Sequence, residues 1–114
     1  MKITFKDIPT GFIKAKVIQV NEKNGKYGSY LQIIFSLMEK GELANYRVAA
    51  MIKPTPLKNS KFYRWITNIM AKTPDDDFYT EDLIGKECLI NITKQKNYYS
   101  VVDVDLSTDI LTKI

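Results

Sequence analysis

A single helix-like segment, preceded by three β-like segments and followed by two more, constrains the fold of this chain more than any other feature. Over residues 60–71, apolar side chains recur at intervals of three and four, the spacing of one helical face. The residues of this stripe are Phe62, Trp65, Ile66, Ile69 and Met70. Asn59 or Ser60 can cap the start of the helix, and Pro74 prevents its continuation. Because the helix has one apolar stripe, we expect it to pack on one side only.

Three segments before the helix alternate polar and apolar residues in the way that is typical of β-strands. They cover about residues 12–20, 28–38 and 45–52. In the first segment the apolar phase shifts after Val17, which predicts a bulge or sharp bend near that residue. A long, bent first strand of this kind is able to take part in both halves of a small barrel.

The connections between these strands are polar. Residues 21–26 are expected to form the first loop, with Asn24-Gly25 as the tight turn, because both residue types tolerate positive φ. In the third strand, four residues of one phase are expected to face the core: Tyr46, Val48, Ala50 and Ile52. The opposite phase carries Asn45, Arg47, Ala49 and Met51.

Two further strands are expected after the helix, at about residues 87–93 and 98–105, joined by a turn at 95–97. A short helical turn is expected at about 80–84. Three strands, a helix and two strands follow the order of the oligonucleotide/oligosaccharide-binding (OB) fold. We therefore predict a mainly β, five-stranded Greek-key barrel with its helix between strands three and four. The length suits one domain over 1–114, with its core at about 10–105.

Four segments carry a family resemblance: GFIKA at 11–15, KYGSYLQIIFSL at 26–37, DLIGKEC at 82–88 and NYYSVVDV at 97–104. In this order they resemble parts of the OB-fold single-stranded-DNA-binding proteins of phages and mobile genetic elements. The resemblance covers nearly the whole chain. It implies an OB barrel, single-stranded DNA as partner, and replication or recombination proteins as further partners. The acidic partner-recruiting tail of bacterial single-stranded-DNA-binding proteins is absent from the sequence, so recruitment by that route is not expected.

The composition argues against an enzyme. The chain has no histidine and one cysteine, which removes the commonest general base and leaves few ligands for zinc. No nucleophile–base pair or phosphate-binding loop is visible. We expect no catalytic residue, no metal site and no cofactor. Cys88 and Trp65 are expected in the core, and Asp75-Asp76-Asp77 is interpreted as a solvated turn.

The charge is unevenly distributed along the chain. Residues 1–72 hold 13 Lys/Arg and 4 Asp/Glu, a net charge of +9, whereas residues 73–114 hold 4 and 9, a net charge of −5. A basic region of this size permits a polyanionic partner. No apolar run has the length of a membrane helix, and the start of the chain lacks the apolar stretch of a signal peptide. A cytoplasmic protein without a membrane partner is expected.

Sequence-tolerant binding of single strands needs cations for phosphates and aromatic faces for bases. An OB barrel presents both on the outer face of strands two and three and on the loops that join strands one–two and four–five. The residues predicted to bind nucleic acid are Lys14, Lys16, Lys26, Tyr27, Tyr30, Gln32, Ile34, Arg47, Met51, Lys94, Lys96, Tyr98 and Tyr99. Tyr46 and one of Tyr98 and Tyr99 are also expected to contribute to the core.

Three alternatives remain open at this point. Stacking surfaces accept both sugars, so RNA is an alternative ligand. An OB barrel also serves as a protein-interaction module, such as an accessory subunit or an inhibitor, because a fold does not define a function. The outward apolar residues Ile34 and Met51 would also suit a homodimer interface.

Overall fold

The computed structural model describes residues 1–3, 5 and 7–106. Its elements, in chain order, are β1 (Gly11–Gly25), β2 (Gly28–Leu37), β3 (Arg47–Ile52), α1 (Lys61–Met70), β4 (Glu87–Gln95) and β5 (Tyr98–Asp105). Short 3₁₀ turns cover Gly41–Leu43 and Thr80–Leu83. The described part of the chain is therefore mainly β with one α-helix between β3 and β4, as predicted. The sequence predicts a short helical turn or loose pairing for residues 106–114, of which residues 107–114 lie outside the described residues.

The strands form one antiparallel sheet in the order β3-β2-β1-β4-β5. The central strand β1 is 15 residues long and pairs with two neighbouring strands. Its first part pairs with β4, from Gly11 opposite Ile92 to Lys16 opposite Glu87. From Ala15 onward it pairs with β2, and this ladder ends with Gly25 opposite Gly28. The outer strands β3 and β5 contact each other, but no ladder joins them within the described ranges.

A bulge in β1 makes this double pairing possible. The register with β2 shifts between Val17 and Gln19, so that Ile18 has no opposite residue. At the same point, the Val17 N–H donates to the Lys86 carbonyl at 2.9 Å, and its carbonyl accepts from the Gly85 N–H at 2.8 Å. An extra residue bends a strand and increases its twist. The predicted bulge near residue 17 is confirmed.

The first hairpin turn differs from the prediction. β1 continues through Asn24 and Gly25, and the two-residue turn is formed by Lys26 and Tyr27. Neither turn residue has positive φ; instead Gly28, which follows the turn, has a φ of 112°. The prediction of a turn at Asn24-Gly25 is therefore wrong. A glycine after the turn provides the chain reversal equally well, and the cross-strand pairs of β1 and β2 determine the register.

The core is formed by the inward residues of all five strands together with α1. The buried strand residues are Ile13, Ala15, Val17, Leu31, Ile33, Phe35, Leu37, Val48, Ala50, Ile52, Cys88, Ile90, Ile92, Val101 and Val104. In β3 the predicted alternation is confirmed, except that Tyr46 is 46% exposed. Asn45 before it has a left-handed φ of 62°, and β3 begins only at Arg47. The interrupted backbone places Tyr46 outside the alternation, so its predicted core role is wrong.

The helix α1 is close to its predicted bounds. The Ser60 hydroxyl accepts the Tyr63 N–H at 3.0 Å, which confirms Ser60 as the cap. Trp65, Ile66 and Ile69 are buried, while Phe62 and Met70 are partly buried against the core. Asn68 donates from its side-chain amide to the Val104 carbonyl at 2.9 Å, joining α1 to β5. The helix therefore packs on one side, as its single stripe predicts.

Cys88 is completely buried in β4, and burial raises the pKa of its thiol to about 12. This confirms the interpretation of Cys88 as a core residue. Among the described residues, no helix has the length and apolar character needed to cross a membrane.

Candidate nucleic-acid interface

The strands β1, β2 and β3 present one continuous surface, here called the outer face. Successive residues of a strand point to opposite sides of a sheet, so the neighbours of buried residues point outward. The outer face comprises Lys16, Gln19, Asn21 and Lys23 from β1, Tyr30, Gln32, Ile34 and Ser36 from β2, and Arg47, Ala49 and Met51 from β3. The strand pairing arranges these residues in rows that cross the strands.

One end of the outer face is cationic. Lys16 and Arg47 lie on either side of Ser36 in the same row, and both side chains are exposed. Adjacent strands are about 4.8 Å apart, so the backbones of these two residues lie about 10 Å apart across β2. Glu87 of β4 lies opposite Lys16 on its other side. Lys16 and Arg47 are separated by 31 positions in the chain, and only the register brings them into one row.

The centre of the outer face is apolar. Ile34 and Ala49 lie opposite each other and are half-buried, and Met51 in the next row is 54% exposed. Gln32 lies beside Met51, and its side-chain oxygen accepts a hydrogen bond from the Asn21 amide at 3.1 Å. The result is an apolar patch that offers a surface for stacking, with an amide pair at its edge.

The other end of the outer face is aromatic and cationic. The Tyr30 ring lies against Gly25, where a Cβ atom would come within 3.1 Å of the ring carbon Cε1. Next to it, Tyr27 projects from the hairpin turn and is 90% exposed. Its ring centroid lies 5.6 Å from the Lys26 ammonium. A shallow hollow of about 290 Å³ opens between this turn and Lys53.

Several polar residues on or beside this face, including Gln19, Asn21 and Lys53, were not among the predicted binding residues. Lys53 lines the hollow beside Tyr30, and Gln19 and Asn21 form the β1 edge of the apolar centre. The signal for Lys53 was present in the sequence, because the outward phase 47, 49, 51 leads directly to it. Asn21 was missed because the sequence placed it in the loop expected at 21–26, whereas β1 extends to Gly25; Gln19 lay within the predicted strand but was not selected as a binding residue.

Lys14 lies one row beyond Lys16, at the junction of β1 and β4. Its side chain is half-buried, Leu89 is its partner in β4, and its carbonyl accepts the Met38 N–H at 3.0 Å. Lys14 has a polar or electrostatic contact of its own within the protein. The Lys14 side chain is therefore less available to an external anion than the exposed side chain of Lys16.

The remaining predicted residues belong to the β4–β5 hairpin, at the opposite end of β1 from Tyr27. Lys96 is in the turn, and Tyr98 beside it is exposed. Tyr99 and Lys94 lie opposite each other on the core side, with the Lys94 ammonium 6.0 Å from the Tyr99 ring centroid. Tyr99 also packs against the core and donates its hydroxyl to Asp7 at 3.4 Å. As expected, one tyrosine of this pair is a core residue.

The position of one further side chain tests a sequence interpretation. Trp65 is fully buried, which confirms its core role and removes it as a stacking surface. In the part of the chain that the structure describes, no group of three or more Cys, Asp or Glu side chains could hold a metal ion. The outer face has the chemistry of an anion-binding surface with a hydrophobic centre.

The chain matches no model of a known protein family, and no curated protein is significantly similar to it.

Proposed function

We propose that this protein is a non-catalytic, cytoplasmic single-stranded-DNA-binding protein. The observation that carries the proposal is one sheet face on which an apolar centre lies between two cationic ends. Phosphates bind to the ends and bases stack on the centre and on Tyr27, which is the arrangement that sequence-tolerant binding of single strands requires. The resemblance in sequence supports a part in replication or recombination of a phage or mobile element.

We further propose that the sheet is an OB barrel. Three features support this architecture: the bent β1 shared by β2 and β4, the contact between β3 and β5, and α1 between β3 and β4. In an OB barrel, the outer surface of strands two and three binds oligonucleotides. The outer face described above includes those two strands.

The mechanism is passive and electrostatic. Each phosphate neutralised by a Lys or Arg releases condensed counterions, so affinity falls as the salt concentration rises. The apolar centre contributes stacking, which every base can make. A duplex hides its bases inside the stack and gains only the electrostatic part. Preference for single strands therefore follows from the apolar centre and the tyrosines.

The deciding experiment is fluorescence anisotropy with a labelled dT oligomer of about 25 nucleotides, which is longer than the site of one OB barrel. We expect saturable, salt-sensitive binding that unlabelled duplex displaces poorly. A matched RNA oligomer in the same competition distinguishes DNA from RNA as ligand. If no binding occurs at low salt, the proposal is refuted.

A homodimer through the same face is the second candidate, and the exposure of Met51 next to Ile34 favours it. The same residues cannot contact a second copy and a nucleic acid at once. Sedimentation velocity with and without the dT oligomer separates the two cases. A dimer that dissociates on DNA binding would mean that both partners use the outer face in competition.

A further inference from the structure

A groove of about 460 Å³ opens on the core side of β1 and β2, beyond the end of the packed core. Its floor contains Leu31 and Ile66, which are buried, and its walls contain Phe62 and Phe78, which pack against the core. Two loops complete the groove, residues 54–58 before α1 and residues 74–80 after it; they contribute three prolines to its lining. The volume is within the range of binding pockets, and the lining is largely apolar.

The rim of this groove is acidic. Glu22, Asp75 and Asp76 line it, and Lys58 is the one basic residue among its lining side chains. Lys58 pairs with Asp76 at 3.4 Å, but both side chains are largely exposed, so this pair joins the two loops only weakly. The rim therefore carries a net charge of −2 in a protein whose net charge is +4.

The groove and the outer face lie on opposite sides of the same two strands. Glu22 and Leu31 are opposite each other in the ladder and belong to the groove. Their neighbours Asn21 and Gln32 are opposite each other and belong to the outer face. A ligand in the groove therefore does not compete for the outer face. The acidic rim also repels a polyanion, which leaves the groove open while nucleic acid is bound.

We propose that this groove binds a peptide segment of a partner protein in which apolar side chains are flanked by Lys or Arg. The apolar floor, with Leu31 and Ile66, and the side chains of Phe62 and Phe78 receive the hydrophobic side chains of the peptide. The flanking cations meet the three carboxylates of the rim, which sets the specificity against acidic segments. The inference stands on the groove alone and does not depend on what the outer face binds.

Three labelled peptides test the proposal by fluorescence anisotropy with the full chain. The first is Lys-Lys-Leu-Leu-Phe-Leu-Lys-Lys; the second replaces every Lys with Glu, and the third replaces the apolar residues with Ser. We expect the first peptide to bind at least tenfold more tightly than either of the others. If the Ser peptide binds as tightly as the first, binding depends on charge alone and the proposal is overturned. If the Glu peptide binds as tightly as the first, the acidic rim does not select the ligand, and the proposal is overturned as well.

Two variants and one control locate the binding. The double variant Asp75→Lys/Asp76→Lys reverses the charge of the exposed rim, and Leu57→Lys replaces an apolar groove residue that is 59% exposed with a cation that repels the Lys residues of the peptide. Each should weaken binding of the first peptide at least tenfold. The control Glu39→Lys/Glu81→Lys makes the same charge change at exposed positions outside the groove lining and should leave it within twofold.

Amide chemical shifts of the labelled protein provide the independent readout. Addition of the first peptide should shift amides of residues 54–58 and 74–80, and leave those of the outer face unchanged. Shifts confined to the outer face would overturn the groove as the site. Because the dT experiment uses a different face, failure of the peptide to bind leaves the proposed nucleic-acid function as it stands.

Discussion

Trp65 donates its indole N–H to a carboxylate oxygen of Asp103 at 3.2 Å, and this bond joins the middle of α1 to β5. The same carboxylate accepts the Val104 N–H at 2.9 Å and pairs with Arg64 at 3.1 Å. Trp65 is fully buried, whereas Asp103 is half-buried. One acidic side chain therefore satisfies the polar atom of the largest core residue.

Replacing Asp103 with Ala should destabilise the protein by about 1–3 kcal/mol, because it leaves a buried indole N–H without an acceptor. Asp103→Asn keeps an acceptor oxygen and should cost less. Urea unfolding followed by tryptophan fluorescence measures both. Asp76→Ala, which removes an exposed ion pair, is the matched control and should change stability little. Equal effects of Asp103→Ala and Asp76→Ala would contradict this account of Trp65.

The stability should also depend on pH through Asp103. Partial burial by itself would raise the pKa of this carboxyl, but the Val104 N–H, Arg64 and Trp65 together lower it below its usual value. A lowered folded-state pKa contributes stability above the unfolded pKa, and this contribution is lost as the pH falls through the folded pKa. We expect the difference in unfolding free energy between wild type and Asp103→Asn to shrink as the pH falls below about 4. A difference that is constant with pH would exclude the ionic contribution.

The thiol of Cys88 should be unreactive in the folded protein, because burial raises its pKa to about 12 and shields the sulfur from reagent. A disulfide reagent at about pH 8 should label it only at the rate at which the chain opens. Added urea should accelerate labelling in parallel with unfolding. Immediate labelling of the folded protein would show that β4 is more accessible than its packing indicates.

The cationic end of the outer face should contribute to DNA binding in proportion to the phosphates it contacts. Lys16→Ala and Arg47→Ala should each weaken binding to a dT oligomer. Each should also make the negative slope of log affinity against log salt concentration shallower by about 0.7. Lys72→Ala removes an exposed cation that follows α1 and should leave the slope unchanged. If Lys72→Ala has the same effect as Arg47→Ala, the protein attracts DNA through its overall charge only.

Alanine variants of Tyr27 and Tyr99 should have different effects, one on the affinity for DNA and the other on the stability of the fold. Tyr27 is exposed on the turn, so Tyr27→Ala should weaken dT binding by about 1–3 kcal/mol and leave the urea midpoint unchanged. Tyr99 packs against the core and bonds to Asp7, so Tyr99→Ala should mainly lower the urea midpoint. Quenching of tyrosine fluorescence by the oligomer provides a second readout for Tyr27. The reverse pattern would move the binding surface away from the β1–β2 turn.

Local patterns were sufficient for most of the secondary structure. The helix stripe, the Ser60 cap and the bulge after Val17 all depend on residues that are close together in the sequence, and all three are confirmed. The errors arose where a local preference competed with a distant constraint. Asn24-Gly25 is a good turn sequence, but its residues extend the ladder with β2, and pairing over the whole of β1 outweighs one favourable turn.

The sequence by itself determined the inward-facing phase where a strand is regular, as in Val48, Ala50 and Ile52 of β3, because alternation has a period of two and needs no knowledge of other strands. Only the tertiary structure decided which outward residues meet. Lys16 and Arg47 share a row because of the registers of β1 with β2 and of β2 with β3. Trp65 and Asp103 are 38 positions apart and meet only when α1 packs on β5. Such contacts depend on how whole elements pack, and a shift of one residue in register would replace every one of them.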